Sequence, residues 1–555
     1  MKNSKSYIKT LLVIFAAVLM FSACEKDDEA FQRTRLFRPV LSQEGLTSER
    51  NTIIVNLASF KEAESYTIEV SRDTFQTVLY TIETDTSYVV INKELVGEEL
   101  LWDAIYQVRA QAHADDPTYD SRVADLGNVR TQRFPTILEI PAKFDVIDTA
   151  ARVTWVTAGA PVTGIKVFAG DDDRLTNPLF EERPVTEEER LAEEAIVTGL
   201  EPETEYQIAL YSEGELRGWV RYTTKVRDID PTAPGVIDLR GDENPEAVSN
   251  AVSTAPDGAI ILISRGSFYE FPDDNLNKSI TIRAAYGFGE EKAQLYTTGN
   301  WDIDNNSTID HIRFIGLELR GEDYTGDYVF NPNRENVYVG EVLFDDCNIT
   351  NFRGIMRIRT SVVVDEYKIH NSLIDTIGGY GIITTDTDFA DENTAHVNHI
   401  ELINSTFNYI DTGITSRMGS ESITIENCTF NNFIVNGGRF FRYRGSEGHN
   451  NVTNGIAIRN SIFGHSWDMS GEGNYGCIQG IGDGLESTNF AIDNVWGTSN
   501  FCLREGSEIP GFPSFTYSGT AQELWIAPDQ MDFNFRDRSF GGRTNSGDPR
   551  WRDEL

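Results

Sequence analysis

One recurring phrase constrains the fold of this chain more than anything else in it. In IENCTFNNF, residues 425–433, an apolar and a polar residue lead into Asn, a small residue, and then an alternating run. Near-copies are FIGLELRG (314–321), FDDCNITNF (344–352), IHNSLIDTI (369–377), LINSTFNYI (402–410), IRNSIFGHS (458–466) and IDNVWG (492–497). Their third positions are Gly316, Asp346, Asn371, Asn404, Asn427, Asn460 and Asn494, at intervals of 30, 25, 33, 23, 33 and 34 residues. A coil of short parallel strands has one tight bend, and its other connections accept insertions. Stacked coils repeat about every 4.8 Å. An Asn at the tight bend therefore meets its counterparts above and below and satisfies buried backbone groups. This predicts a parallel β-helix over 236–510 with Asn371, Asn404, Asn427 and Asn460 in one column. The next position, held by Cys347, Ser372, Ser405, Cys428 and Ser461, faces inward. Cys477 and Cys502, about one coil apart, can pair.

The first part of the chain alternates differently. Residues 35–131 carry NTIIVNL, SYTIEVSRD, TSYVVINKEL and IYQVRAQAH, short strands between polar turns. Residues 135–226 repeat the texture with ARVTWVT, GIKVFAGD and GLEPETEYQIALYSEGELRGWVRYTT. Leu200, Pro202, Thr204 and Tyr206 in the last stretch resemble the late strands of a fibronectin type III module, with Trp155 on a strand that wants a large core residue. The expected class is thus all-β: two fibronectin type III-like sandwiches (35–131, 135–226), a Pro- and Gly-bearing linker (227–235), the β-helix (236–510) and a C-terminal capping segment (511–555).

The N-terminus reads as a processing signal. Lys2, Lys5 and Lys9 precede the apolar run TLLVIFAAVLMF, and FSAC places small residues before Cys24. This resembles a bacterial lipoprotein signal (1–23), which implies lipid on Cys24. The acidic stretch after it (24–34) resembles the export tether of surface lipoproteins in glycan-foraging Gram-negative bacteria. The implied location is the outer membrane, facing outward. Net charge is −39, and a chain so acidic lacks the electropositive face of a general nucleic-acid binder. Four cysteines follow Cys24 and none forms a CxxC pair, which argues against both a disulfide framework and a zinc site.

The helix, Pro-Asp-Gly turn and strands from 236 resemble the entry of right-handed parallel β-helices of the pectin-lyase type, especially the alginate lyase and chondroitinase B group. SGDPRWRDEL (546–555) resembles the ending of surface β-helix lipoproteins from glycan-utilisation gene clusters. These resemblances imply binding of an acidic polysaccharide alongside other glycan-utilisation proteins, or its cleavage by β-elimination. The strands after the Asn turns, GIMRIRTS (354–361), GIITTDTD (381–388), GITSRMGS (413–420) and FFRYRGS (440–446), align on Met356, Ile383, Ile414 and Phe441 as inward positions. Outward positions then stack as Arg357, Thr384, Thr415, Arg442 and as Arg359, Asp386, Arg417, Arg444. Guanidinium forks bind carboxylates and sulfates in two-point contacts, so this face is a candidate groove for a uronate polymer. It is equally a solvated charge ladder with Asp386 between Arg359 and Arg417. For cleavage, the resemblance puts Arg417 at the Arg position of the lyases. The preceding coil lacks their Lys, leaving Tyr443 or His449 as substitute bases. No cofactor is required by this reading. Asp386, Asp388, Asp391 and Glu392 cluster closely enough to hold calcium through oxygen ligands.

Overall fold

The computed structural model describes residues 34–553 other than 60, 298 and 387–393. Cys24, Asp388, Asp391 and Glu392 therefore lie outside the described residues. The protein is almost entirely β. In the first module, Leu41–Glu49, Thr52–Leu57 and Tyr88–Ile91 make one antiparallel sheet. Tyr80–Thr84, Ser65–Ser71, Ile105–His113 and Ala124–Arg130 make the other. Every second residue of Thr52–Leu57 and Ile105–His113 is buried, because successive side chains of a strand point to opposite faces. Ile53, Val55, Ile68, Val70 and Val108 form the core without solvent contact.

The second module repeats the strand order. Arg183–Pro184, Gly164–Ala169, Glu205–Ser212 and Glu215–Thr223 form a four-stranded sheet, while Ala150–Thr154 pairs with Glu194–Thr198. Trp155 is buried as the alternation requires. The Thr204 hydroxyl donates to the Pro202 carbonyl at 2.9 Å, which fixes the turn written as Leu-x-Pro-x-Thr. Trp102 of the first module meets Phe134 at 5.2 Å between ring centroids, and Phe134 meets Trp219 of the second at 5.0 Å. The linker is pinned at Asp228, whose carboxylate accepts from Arg283 Nη2 at 2.7 Å and from the Tyr286 backbone at 2.9 Å.

From Val236–Asp238 to Phe515–Thr516 the strands are parallel and join one 23-stranded sheet system that winds into a β-helix. Parallel pairing reaches Phe515–Thr516, a few residues past the boundary read from the sequence, because a Phe-bearing strand without the Asn phrase adds a last rung to Trp496–Gly497. The helix Ala247–Thr254 lays Ala247, Val248, Ala251 and Val252 on the core at the entry. Lys278 Nζ donates to the Val252, Ser253 and Ala255 carbonyls at that helix's C-terminus, where a cation suits the unpaired carbonyls.

The asparagine column forms. Asp346, Asn371, Asn404, Asn427, Asn460 and Asn494 all have φ between 49° and 55°, the left-handed region that Asn tolerates better than other side chains. Asn404 Nδ2 donates to Asn371 Oδ1 at 3.2 Å, Asn427 Nδ2 to Asn404 Oδ1 at 3.0 Å, and Asn494 Nδ2 to Asn460 Oδ1 at 2.9 Å. Inside it runs a second ladder. The Cys347 and Ser372 backbone N–H groups donate to Ser372 Oγ and Ser405 Oγ, both at 3.0 Å, and Cys428 N–H to Ser461 Oγ at 3.1 Å. Cys347 and Cys428 are fully buried free thiols in this column, while Cys477 and Cys502 are disulfide-bonded.

The C-terminal segment lies along a flank of the coils. Its short helix Ala521–Leu524 and hairpin Trp525–Ala527/Asp532–Phe535 pack with Ile462. Asp548 Oδ2 accepts from Thr406 Oγ1 at 2.8 Å, Trp551 Nε1 donates to Thr406 Oγ1 at 2.8 Å, and Arg552 Nη2 donates to Asn427 Oδ1 at 2.7 Å.

Candidate arginine-rich binding face

The strands that follow the asparagine bends present the arginines. Met356 pairs with Ile383, Ile383 with Ile414, and Ile414 with Phe441, and all four are buried. The register therefore puts Arg357, Thr384, Thr415 and Arg442 on successive rungs. The second outward column follows two residues later: the Asp386 N–H donates to the Ile358 carbonyl and the Arg444 N–H to the Ser416 carbonyl.

Asp386 is the hub of this face. Arg357 grips its Oδ2 with Nε at 3.1 Å and with Nη2. Arg417 Nε lies 3.5 Å and Arg444 Nη2 3.9 Å from Oδ1. Burial opposes the Asp386 charge, but Arg357, then Arg417 and Arg444, outweigh it and hold the carboxyl below its ordinary pKa. Arg359 reaches Asn331 instead, donating from Nη2 to its side-chain oxygen at 3.0 Å, and Arg442 Nε donates to Asp483 at 2.6 Å. Arg353 and Arg357 lie 4.8 and 4.4 Å from the centroid of the Tyr380 ring.

Burial, then neighbouring arginines, pull the pKa of Arg359 and of Arg444 below the usual guanidinium value. The Nε–H groups of Arg359 and Arg444 are buried without a hydrogen-bond partner among the described residues. An unmet buried donor on a charged group is costly, and an incoming carboxylate or sulfate oxygen would satisfy it.

Two expectations change. Tyr443 was a candidate base, yet the alternation that turns Phe441 inward turns Tyr443 inward too. It has no solvent contact, its hydroxyl shares a 2.8 Å hydrogen bond with Ser420, and burial raises its pKa. A phenol so placed reaches no polymer. Asp386 was a candidate calcium ligand, but three guanidinium groups surround it, and their field repels a cation. Among the described residues no group of three or more His, Cys, Asp or Glu side chains is placed to hold a metal. His449 is exposed on the loop after the Arg444 rung. Lys278 is held by helix carbonyls, Lys292 by Asp346 at 2.8 Å and Lys368 by Glu341 at 3.1 Å, so none serves the arginine rungs. Sequence reasoning missed Asn331 and Asp483. Both come from loops outside the repeated phrase, and no local signal marks them.

Fold and face together define a β protein of fibronectin type III-like modules and a parallel β-helix with one arginine-rich flank. A family described as "Domain of unknown function (DUF4957)" matches residues 268–410, the coils that carry Arg357, Arg359 and Asp386. Among solved structures, the FN1–FN3 domains of chicken CNTN1 are similar at 14% identity over 35% of this chain and 69% of that one, with a TM-score of 0.15. No curated protein matches. Among the described residues no helix is long and apolar enough to cross a membrane.

Proposed function

We propose that this protein is a lipid-anchored surface lipoprotein that binds an acidic, uronate-containing polysaccharide on its arginine face, beside other proteins of a glycan-utilisation system. The observation that carries the reading is the pair of buried, unpartnered Nε–H donors of Arg359 and Arg444. They stand in a cluster where Arg357 grips Asp386, Arg417 and Arg444 lie 3.5 and 3.9 Å from the same carboxylate, and Arg442 pairs with Asp483. A tract of anions on a linear polymer would meet several of these guanidinium groups at once. Binding without cleavage is the favoured reading, since Tyr443 faces the core and Lys278, Lys292 and Lys368 are held away from the rungs. The location rests on the FSAC box and the acidic residues after Cys24.

The test is affinity electrophoresis of the full chain through gels containing acidic or neutral polysaccharides, with salt varied. Retardation by acidic polymers alone, weakening as salt shortens the screening length below about 10 Å, is expected. Equal mobility in all gels overturns the binding claim, and ultraviolet absorbance from an unsaturated product overturns binding without cleavage. Cys24→Ala should move the protein from membrane to soluble fractions in the cell of origin. Unchanged partitioning would remove the anchor.

A further inference from the structure

The order of charges along the face says more about the ligand, on condition that the face binds acidic polysaccharide as proposed. Adjacent rungs are about 4.8 Å apart, close to the advance of one pyranose ring along an extended chain. Arg357 and Arg359 share the first rung, Asp386 stands on the second, Arg417 on the third, and Arg442 with Arg444 on the fourth. The sequence of charge is therefore positive, negative, positive, positive.

A polymer with an acid on every residue would set one anion against Asp386. A polymer whose acids alternate with neutral residues would set hydroxyl or amide donors there and keep its anions at the cationic rungs. Asp386 has capacity for such a donor. Its Oδ2 is taken by Arg357, but Oδ1 faces Arg417 and Arg444 at 3.5 and 3.9 Å, beyond good hydrogen-bond length. The unmet Nε–H of Arg359 and that of Arg444 lie on either side of the Asp386 rung.

We infer that the face selects a polysaccharide in which acidic and neutral residues alternate, with Asp386 reading the neutral residue between two cationic stations.

Affinity electrophoresis of the full chain tests this with hyaluronan and unsulfated chondroitin, whose acids alternate with neutral N-acetylhexosamines, against polygalacturonate and alginate, which carry a carboxylate on every residue. Wild type should bind the better alternating polymer at least tenfold more tightly than either homopolymer. Asp386→Asn, which removes the charge and keeps the shape, should bring that ratio to threefold or less by strengthening homopolymer binding. Should the variant not fold, the wild-type ratio alone decides. Equal binding of both classes, a preference for the homopolymers, or an unchanged ratio in Asp386→Asn overturns the alternation while the acidic-ligand reading stands. Retention by none of the four overturns both.

Discussion

Replacing Arg357 and Arg444 one at a time should separate stability from recognition on the arginine face. Arg357 holds Asp386 through two nitrogens, and the two side chains are only 18% and 21% exposed. Breaking a fully buried pair of this kind costs about 3–5 kcal/mol. The remaining solvent contact screens part of that, so Arg357→Ala should lose about 2–3 kcal/mol. Arg444 is different. Its charge lies 3.9 Å from Asp386 and its Nε–H has no partner among the described residues, so it bears a desolvation cost with little return. Arg444→Ala should change stability by no more than about 0.5 kcal/mol in either direction. It should nevertheless weaken binding by about 1.5–3 kcal/mol, the range for a hydrogen bond to a charged group, or roughly 10- to 150-fold in affinity. Urea unfolding read by tryptophan fluorescence gives the first quantity, and titration calorimetry with an acidic polysaccharide that the protein retains gives the second. If Arg444→Ala destabilises as much as Arg357→Ala, the distinction drawn from their geometry is wrong.

Other predictions follow from the ladders and the buried acids. Asn404→Ala should cost about 3–4 kcal/mol, from two ladder hydrogen bonds at roughly 1 kcal/mol each and a left-handed backbone that penalises Ala by about 1–2 kcal/mol; Asn404→Gly should cost less, and equal urea midpoints for the two would refute the φ contribution. Burial pushes the Asp375 carboxyl up to about 6, against a weaker lowering by the Thr376 hydroxyl. Its folded-state pKa is raised, so its contribution is fully present below about pH 4 and is lost as pH rises through about 6; Asp375→Asn should flatten the pH dependence of Tm over that window, and an unchanged profile would count against it. Cys347, whose pKa burial raises to about 12, and Cys428 should both resist a thiol reagent in native Cys24→Ala protein and both react in denaturant, as read by intact mass.

Much of this architecture is legible in the residues because two local rules coincide. A left-handed bend favours Asn, and strand alternation then sorts its neighbours, so the residues alone assign Met356, Ile383, Ile414 and Phe441 inward and the arginines outward. What was not legible depends on distance along the chain. Asn331 reaches Arg359, and Asp483 reaches Arg442, from loops whose course no periodicity fixes. Tyr443 has the chemistry of a base, but the alternation of its own strand turns it inward. Asp386 fits the residue pattern both as a ladder charge and as a cation ligand, and its three arginine neighbours, all of them on other coils, favour the first role. The resting place of Trp551 against Thr406, 145 residues away, has no local signal at all.

That last contact bears on the order in which the molecule can be completed. Residues 546–552 bind rungs laid down far earlier: Arg550 donates to the Asn371 carbonyl across 179 residues, and Asp548 takes the Thr406 hydroxyl across 142. Coils can stack one upon the next as the chain emerges, since each needs only its predecessor. The flank cannot close until the whole helix is present, because closing so long a loop is slow. Until then Ile462 lacks its apolar cover and Thr406, Asn408 and Asn432 lack their partners. A chain halted before residue 521 would carry wound coils with one open side, a state in which exposed apolar surface and strands favour aggregation. Residues 521–553 together would thus close that side only after the coils they cover are wound.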